Sequence, residues 1–247
     1  MKTVLITGCS SGYGLQTARC FHDRGWSVVA TMRAPRPELL PSSERMRVIA
    51  LDVTEPERIT EVVAACEPID VLVNNAGIGL FGAFEATPMA TVREVFETNT
   101  FGMMAMAQAV IPGFRARRSG TIVNVTSTVA MVPMPLVAAY TASKTAIEGF
   151  STSLALELAE HGIRVKLVQP GYGPSTSFAK NGQGRMEGLL PEPYADLARR
   201  SFEAIGGLDA VTTPEDVAEG VYRAALDASP TMRFPAGADA VALAASR

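Results

Sequence analysis

The chain has 247 residues, 22 Lys+Arg against 25 Asp+Glu, and a formal net charge of −3. That balance excludes the basic surface of a general nucleic-acid binder, and an apolar content of 47% is enough to bury a large core. The three cysteines (Cys9, Cys20, Cys66) have no C-x-x-C spacing. A disulfide framework or a zinc site is therefore not expected, and a reducing compartment fits.

Short β-branched runs alternate with longer helical patterns. The expected strands are Val4-Leu5-Ile6, Val28-Val29-Ala30, Val48-Ile49-Ala50-Leu51, Val71-Leu72-Val73, Ile122-Val123-Asn124-Val125 and Val165-Lys166-Leu167-Val168. Most are nearly continuous apolar runs, which suits strands buried on both faces of a parallel sheet. Crossover helices are expected over 13–24, 56–65, 89–114 and 139–160. The succession reads as an α/β, doubly wound parallel sheet with helices on both faces. Thr87-Pro88 and Thr213-Pro214 each predict a helix start, with the threonine capping and the proline in the first turn. His161-Gly162 predicts a helix end. No linker or repeat divides the chain, so one domain over 1–247 is expected. The glycine- and proline-rich stretch 172–206 reads as a loop with short helices, a candidate lid.

The apolar stretch after Lys2 stops at Gly8, too short for a secretory signal. The longest uncharged run, 119–143, contains Asn124, Pro133 and Pro135, so it reads as strand, loop and helix start rather than a membrane span. A cytoplasmic protein without a membrane segment is the expectation.

The first strand runs into Thr7-Gly8-Cys9-Ser10-Ser11-Gly12-Tyr13-Gly14. Glycines here let the backbone approach a pyrophosphate, and the following helix offers its free N–H groups and its dipole. The spacing is G-x-x-x-G-x-G, which is neither G-x-G-x-x-G nor a Walker loop. A plain strand-to-helix turn would also use glycines. The second strand ends in Thr31-Met32-Arg33, where a site for NAD usually places an acidic residue on the ribose hydroxyls. Met32 cannot serve, whereas Arg33 suits a 2′-phosphate, so NADP(H) is favoured over NAD(H). Solvated loop charges at Arg33 and Arg36 are the bland alternative. Asp52 suits either an adenine amino group or a turn.

Tyr140 and Lys144 lie four apart in a helical segment and share a face. A free tyrosine titrates near ~10, and a nearby ammonium lowers that value, which suits proton transfer. Ser127 stands at the end of a buried strand, where open α/β sheets bind ligands. Asn74-Asn75-Ala76-Gly77 ends the fourth strand, and Asn99 follows it.

Together, Thr7-Gly8-x3-Gly12-x-Gly14, Asn74-Asn75-Ala76-Gly77, Asn99, Ser127, Tyr140-x3-Lys144 and Pro170-Gly171 resemble, in order and spacing, the short-chain dehydrogenase/reductases. The match is to their single-domain branch and runs from about residue 2 to residue 240. The resemblance implies a seven-stranded Rossmann-like sheet and an NAD(P)-dependent oxidoreductase acting on a carbonyl or alcohol. It implies Tyr140 as general acid/base, Ser127 orienting the substrate oxygen, Lys144 on the nicotinamide ribose and Asn99 holding a relay water. The cofactor would be bordered by Gly8, Ser10, Ser11, Gly12, Tyr13 and Gly14, by Arg33, Asp52 and Val53, and by Asn75, Ala76 and Gly77. Tyr140, Lys144, Pro170 and Gly171 would complete the site, with Ser175 or Thr176 on the carboxamide. A homodimer or homotetramer built on the long helices is also implied.

The substrate is less legible. Met131, Val132, Met134, Leu136, Phe178, Met186, Leu189, Leu190, Tyr194, Leu197 and Phe202 would make an apolar pocket if they line the mouth, and ordinary helix packing if they do not. The segment around Asn99 and Tyr140 resembles steroid- and retinoid-handling members. A carrier-dependent 3-ketoacyl reductase, docking an acidic carrier on Arg115, Arg117 and Arg118, is one alternative. A catalytically silent nucleotide-sensing protein is another. An epimerase or dehydratase would need a larger second domain, and a methyltransferase would not need the Tyr/Lys pair. His22 and His161 lie near no motif. Trp26 reads as core or rim. Cys9, in the phosphate turn, reads as a small spacer rather than a reactive thiol.

Overall fold

A computed structural model describes residues 1–66, 68–207 and 210–246. The strands are β1 (Thr3–Ile6), β2 (Ser27–Met32), β3 (Met46–Ala50), β4 (Val71–Asn74), β5 (Gly120–Val125), β6 (Ile163–Pro170) and β7 (Arg233–Ala236). They form one parallel sheet of seven strands in the order β3-β2-β1-β4-β5-β6-β7. The helices are α1 (Gly12–Asp23), α2 (Pro56–Cys66), α3 (Met89–Phe96), α4 (Gly102–Arg117), α5 (Ala138–Ala159), α6 (Phe178–Met186), α7 (Ala195–Gly206), α8 (Pro214–Leu226) and α9 (Ala238–Ala245). This is the doubly wound Rossmann-like architecture.

Alternation along each strand distributes the core between the two faces. Val4 and Ile6 of β1 pack with Phe21 and Trp26 and with Val217 and Val221 of α8, whereas Leu5 packs with Ile59, Val62, Met106 and Phe114 on the other side. Because both faces are covered, the strands read as unbroken apolar runs. The sheet centre also holds a buried polar ladder. Asn74 Nδ2 donates to Asn124 Oδ1 at 2.9 Å, and Asn124 Nδ2 donates to Ser151 Oγ at 2.8 Å, tying β4 and β5 to α5.

Three local expectations change. The helix read over 89–114 is interrupted by a π-helical turn at Glu97–Phe101, a distortion that commonly marks functional positions. Thr87 does not cap α3; its hydroxyl donates back to Ala83 O at 2.9 Å, and Pro88 takes the position before the helix. β7 has no counterpart among the six strands read from sequence. Its Arg-Phe-Pro-Ala run carries a proline that only an edge strand tolerates. By contrast, Thr213 caps α8 in a full capping box with Asp216. Gly162 takes a left-handed φ of 68° just past the end of α5, and Trp26 lies in the core.

Candidate active site

The parallel sheet sends the carboxyl ends of its strands to one rim, and the motif residues Gly8–Gly14, Asn75–Gly77, Ser127 and Pro170-Gly171 follow those ends. The turn after β1 opens with Gly8 at φ 75° and Gly12 at φ 54°, conformations that glycine adopts without strain. A Cβ on Gly8 would fall 2.8 Å from Ala76 Cα, and one on Gly14 would collide with Gly8 O and Asn75 Nδ2. Asn75 braces this turn: its Nδ2 donates to Thr7 O at 2.9 Å and to Gly8 O at 3.2 Å. Thr7 Oγ1 in turn accepts from the N–H groups of Asn75 and Ala76, each at 3.0 Å. No side chain caps α1 at Ser11 and no acidic residue stands in its first turn, so the positive end of the helix faces outward without a counter-charge. Cys9 is fully buried in this turn, and burial pushes its thiol up to about 12, which makes it a spacer.

At the end of β2, Met32 is 2% exposed and belongs to the core, while Arg33 is exposed. Arg36 reaches back to the turn, its Nη2 donating to Ser10 O at 2.6 Å. From sequence alone Arg36 reads as a loop charge, because a contact spanning 26 residues has no local signature. Asp52 Oδ1 accepts from Thr54 N at 3.0 Å and Thr54 Oγ1 at 2.9 Å, so one of its oxygens serves a turn. Val53 is buried, and a Cβ on Gly102 would lie 2.8 Å from its Cγ2.

Asn99 sits in the π turn and is fully buried. Its Oδ1 accepts from Ile78 N at 2.8 Å, and its Nδ2 donates to Ile78 O at 2.9 Å and to Ser143 Oγ at 3.1 Å. Both amide hydrogens are thus committed to the protein. Ser143, whose hydroxyl also donates to Tyr140 O at 2.7 Å, is a support that motif reading passed over.

Ser127 ends the β5 segment in extended conformation, and its Oγ accepts from Val129 N at 3.3 Å. Tyr140 lies on the first turn of α5. Burial pushes its phenol up to about 12, the reverse of the lowering expected from the Lys144 ammonium, and the neighbouring Ser127 hydroxyl, which favours the phenolate, draws it only partly back. One helical turn on, Lys144 Nζ donates to Val125 O at 3.0 Å, and burial alone lowers its ammonium to about 8. A Cβ on Gly77 would lie 3.2 Å from Asn99 Oδ1 and 3.4 Å from Lys144 Nζ, so Gly77 occupies the gap between them.

The segment after β6 closes the site. Gly171 N donates to Thr212 Oγ1 at 3.0 Å, and Tyr172 N donates to Asp239 Oδ2 at 2.7 Å. Thr212 and Asp239, remote in sequence and absent from any motif, therefore fix the chain where it leaves Pro170. Thr176 lies over the glycine turn, 3.4 Å from the position of a Cβ on Gly12, and its Oγ1 donates to Gly173 O at 2.9 Å. Ser175 is exposed. Tyr13 is partly buried, and a Cβ on Gly173 would collide with its hydroxyl. Phe178 of α6 packs on Tyr140 with ring centroids 5.8 Å apart, and Arg185 at the other end of α6 holds Glu94 of α3 through two bonds at 2.6 and 3.1 Å.

The apolar residues read as a pocket divide in two, apart from the half-buried Met186. Leu136, Leu189, Tyr194 and Leu197 pack elements together, and Met131 is buried. Val132, Met134, Phe178, Leu190 and Phe202 are exposed. Arg117 and Arg118 donate to Ile69 O and Glu160 O just before β5 begins, at the rim opposite Ser127. Among the described residues no cluster of His, Cys, Asp or Glu could hold a metal, and no helix is long and apolar enough to cross a membrane.

A model of the short chain dehydrogenase family matches residues 2–185. The chain belongs to the short-chain dehydrogenase family. It is accordingly an oxidoreductase acting between CH–OH and C=O with a nicotinamide cofactor. Retinol dehydrogenase 8 of Homo sapiens is 34% identical, over 94% of this chain and 80% of that protein. The 3-ketodihydrosphingosine reductase of Bacteroides thetaiotaomicron is 36% identical, over 83% of this chain and 76% of its own. The closed form of serine dehydrogenase complexed with NADP+ superposes with a TM-score of 0.79 at 28% identity, covering 94% of each chain.

Proposed function

We propose that this short-chain dehydrogenase is an NADP(H)-dependent reductase or dehydrogenase of an apolar or amphipathic ketone, aldehyde or secondary alcohol. The whole chain would act as one domain, with 172–206 as its lid. The observation that carries the reading is the meeting of Ser127, Tyr140 and Lys144 at the carboxyl ends of β4–β6, beside the uncapped N-terminus of α1. The phosphate turn fits a dinucleotide: its glycines clear the approach, and the first-turn N–H groups of α1 have no side-chain acceptor. Gly8, Ser10, Ser11, Gly12, Tyr13 and Gly14 would hold the pyrophosphate, with Asp52 and Val53 at the adenine and Asn75, Ala76 and Gly77 alongside. Pro170 and Gly171 would border the nicotinamide, and Thr176 suits it better than the exposed Ser175. Arg33 and Arg36 favour a 2′-phosphate, a preference in keeping with the NADP+ complex of the serine dehydrogenase.

When bound, the nicotinamide supplies or accepts the hydride. In reduction, Tyr140 gives its phenolic proton to the carbonyl oxygen while the Ser127 hydroxyl donates a hydrogen bond to that oxygen. A phenol held near 12 is fully protonated at neutral pH, the form reduction needs. In oxidation Tyr140 takes the alcohol proton instead. The ammonium of Lys144, one helical turn on, would favour the tyrosinate left behind, and Asn99 would hold the relay water while bracing Tyr140 O through Ser143.

Exposed Val132, Met134, Phe178, Leu190 and Phe202 near the lid support an apolar substrate, as do the retinol and ketodihydrosphingosine named for two relatives. A carrier-bound ketoacyl substrate gains no support from Arg117 and Arg118, which face backbone carbonyls at the far rim. We further propose a homodimer or homotetramer, which a monomeric mass in solution would refute.

The test is thermal stability with graded NADPH and NADH, followed by a carbonyl panel. Ligand at about 100 times Kd stabilises by roughly 2.7 kcal/mol. NADPH should protect at much lower concentration than NADH. Loss of that difference overturns the cofactor preference, and protection by neither overturns the dinucleotide site.

A further inference from the structure

Glu148 lies one helical turn beyond Lys144 on α5, is 8% exposed, and belongs to no motif read above. Its Oε1 accepts from Thr126 Oγ1 and from Gln169 Nε2, both at 2.8 Å, and its Oε2 accepts from Arg233 Nε at 3.1 Å. Thr126 directly precedes Ser127, and Gln169 directly precedes Pro170-Gly171. One carboxylate therefore joins the ends of β5 and β6 and the first residue of β7 to the helix that carries Tyr140 and Lys144.

The residue type matters. Only a carboxylate accepts on both oxygens from three donors without offering one of its own. Hydrogen bonds to an ionised acceptor are shorter and roughly twice as strong as neutral ones. Burial of the charge is offset by Arg233, the charged donor, and by two neutral ones. Gln169 Oε1 is left buried without a partner, so that amide spends its donor on Glu148 and leaves its own acceptor unmatched.

We infer that Glu148 is a positioning residue of the reaction: through Thr126 and Gln169 it fixes Ser127 and Pro170-Gly171 relative to Tyr140. This rests on the reading of Ser127 and Tyr140 given above. Displacement of a positioned group by about 1 Å can cost up to about 100-fold in rate. A carboxylate that only held the core together would lower stability without touching turnover per folded molecule.

The test uses Glu148→Ala, Glu148→Gln and Thr126→Val in the full chain. Hydrogen exchange is read over 126–131 and 169–173, and kcat and KM are read with NADPH well below the melting temperature. Expected in Glu148→Ala are faster exchange in those two segments, unchanged exchange at 74–77, and kcat lower by about 10-fold or more. Glu148→Gln, whose amide oxygen still accepts from Thr126, recovers part of both. Thr126→Val lowers kcat in the same direction, and its effect does not add to that of Glu148→Ala, which already removes the Thr126 bond. Unchanged exchange in both segments, or kcat within about twofold of wild type in a folded Glu148→Ala protein, overturns the inference. Should Glu148→Ala fail to fold, unchanged exchange over 126–131 or a wild-type kcat in Thr126→Val overturns it equally. Full activity in Tyr140→Phe would instead defeat the functional reading, and the exchange measurement judges the clamp independently of turnover.

Discussion

Lys144 offers a quantitative check on the site that needs no substrate. Burial alone lowers its ammonium from 10.5 to about 8. Between those values the unfolded chain holds a proton that the folded chain has released. Stability attributable to Lys144 therefore rises with pH through this window and is lowest below it. At about 1.4 kcal/mol per pH unit, the penalty below pH 8 is about 3 kcal/mol. Relative to pH 7, relief is about 1 kcal/mol by pH 9 and about 2.5 kcal/mol by pH 10. Tyr140 and Cys9, both raised by burial, act with the opposite sign: their stability is complete below the unfolded values and is lost as pH climbs toward their folded ones. They cancel when the wild type is compared with Lys144→Met. The assay is urea unfolding of both proteins, without cofactor, at pH 7, 8, 9 and 10. The difference, wild type minus variant, should climb by about 2 kcal/mol or more across the series. A flat difference would show that Lys144 is not desolvated as its burial requires.

Tyr140→Phe should bind NADPH as the wild type does yet turn over roughly 100-fold more slowly or worse; stopped-flow reduction of a reactive ketone decides, and near-normal turnover refutes the assignment. Arg33→Ala should weaken NADPH roughly tenfold, as expected for a charge-assisted bond worth about 1.5 kcal/mol, while leaving NADH unaffected in calorimetry; equal losses for both would make Arg33 a general surface charge. Gly79→Ala places a Cβ 2.6 Å from Phe178 Cε1, so the ring must leave Tyr140; KM should shift for bulky ketones and not for small ones, and equal KM values for both would separate Phe178 from the substrate path. Glu94→Gln loses the ion pair to Arg185, so hydrogen exchange over 178–186 should quicken while the sheet stays protected; unchanged exchange would mean that α6 is held by packing alone.

Much of the fold was legible because each strand is buried on both faces. Apolar runs such as Val71-Leu72-Val73 announce themselves when both neighbouring layers are dry. β7 was not legible, since an edge strand needs neither continuous apolarity nor every N–H, and Pro235 is tolerated there. The π turn at Glu97–Phe101 was also hidden, because it leaves the helical pattern intact on both sides. Thr87 and Thr213 show the limit of local signals: the same Thr-Pro pair caps α8, where Asp216 completes the box, and not α3, where the threonine bonds backward to Ala83.

The sequence by itself determined six of the seven strands and the glycine turn, and it grouped Ser127, Tyr140 and Lys144 as candidates, since these depend on residue type and short spacing. Only the tertiary structure decided how they are held. Asn75 against Thr7, Arg36 on Ser10, Thr212 and Asp239 at Gly171 and Tyr172, and Glu148 between Thr126 and Gln169 are contacts across tens of residues. Most of them join segments that the parallel crossovers bring to one rim. A crossover separates partners in sequence by a whole helix, so no local pattern records which side chains will meet.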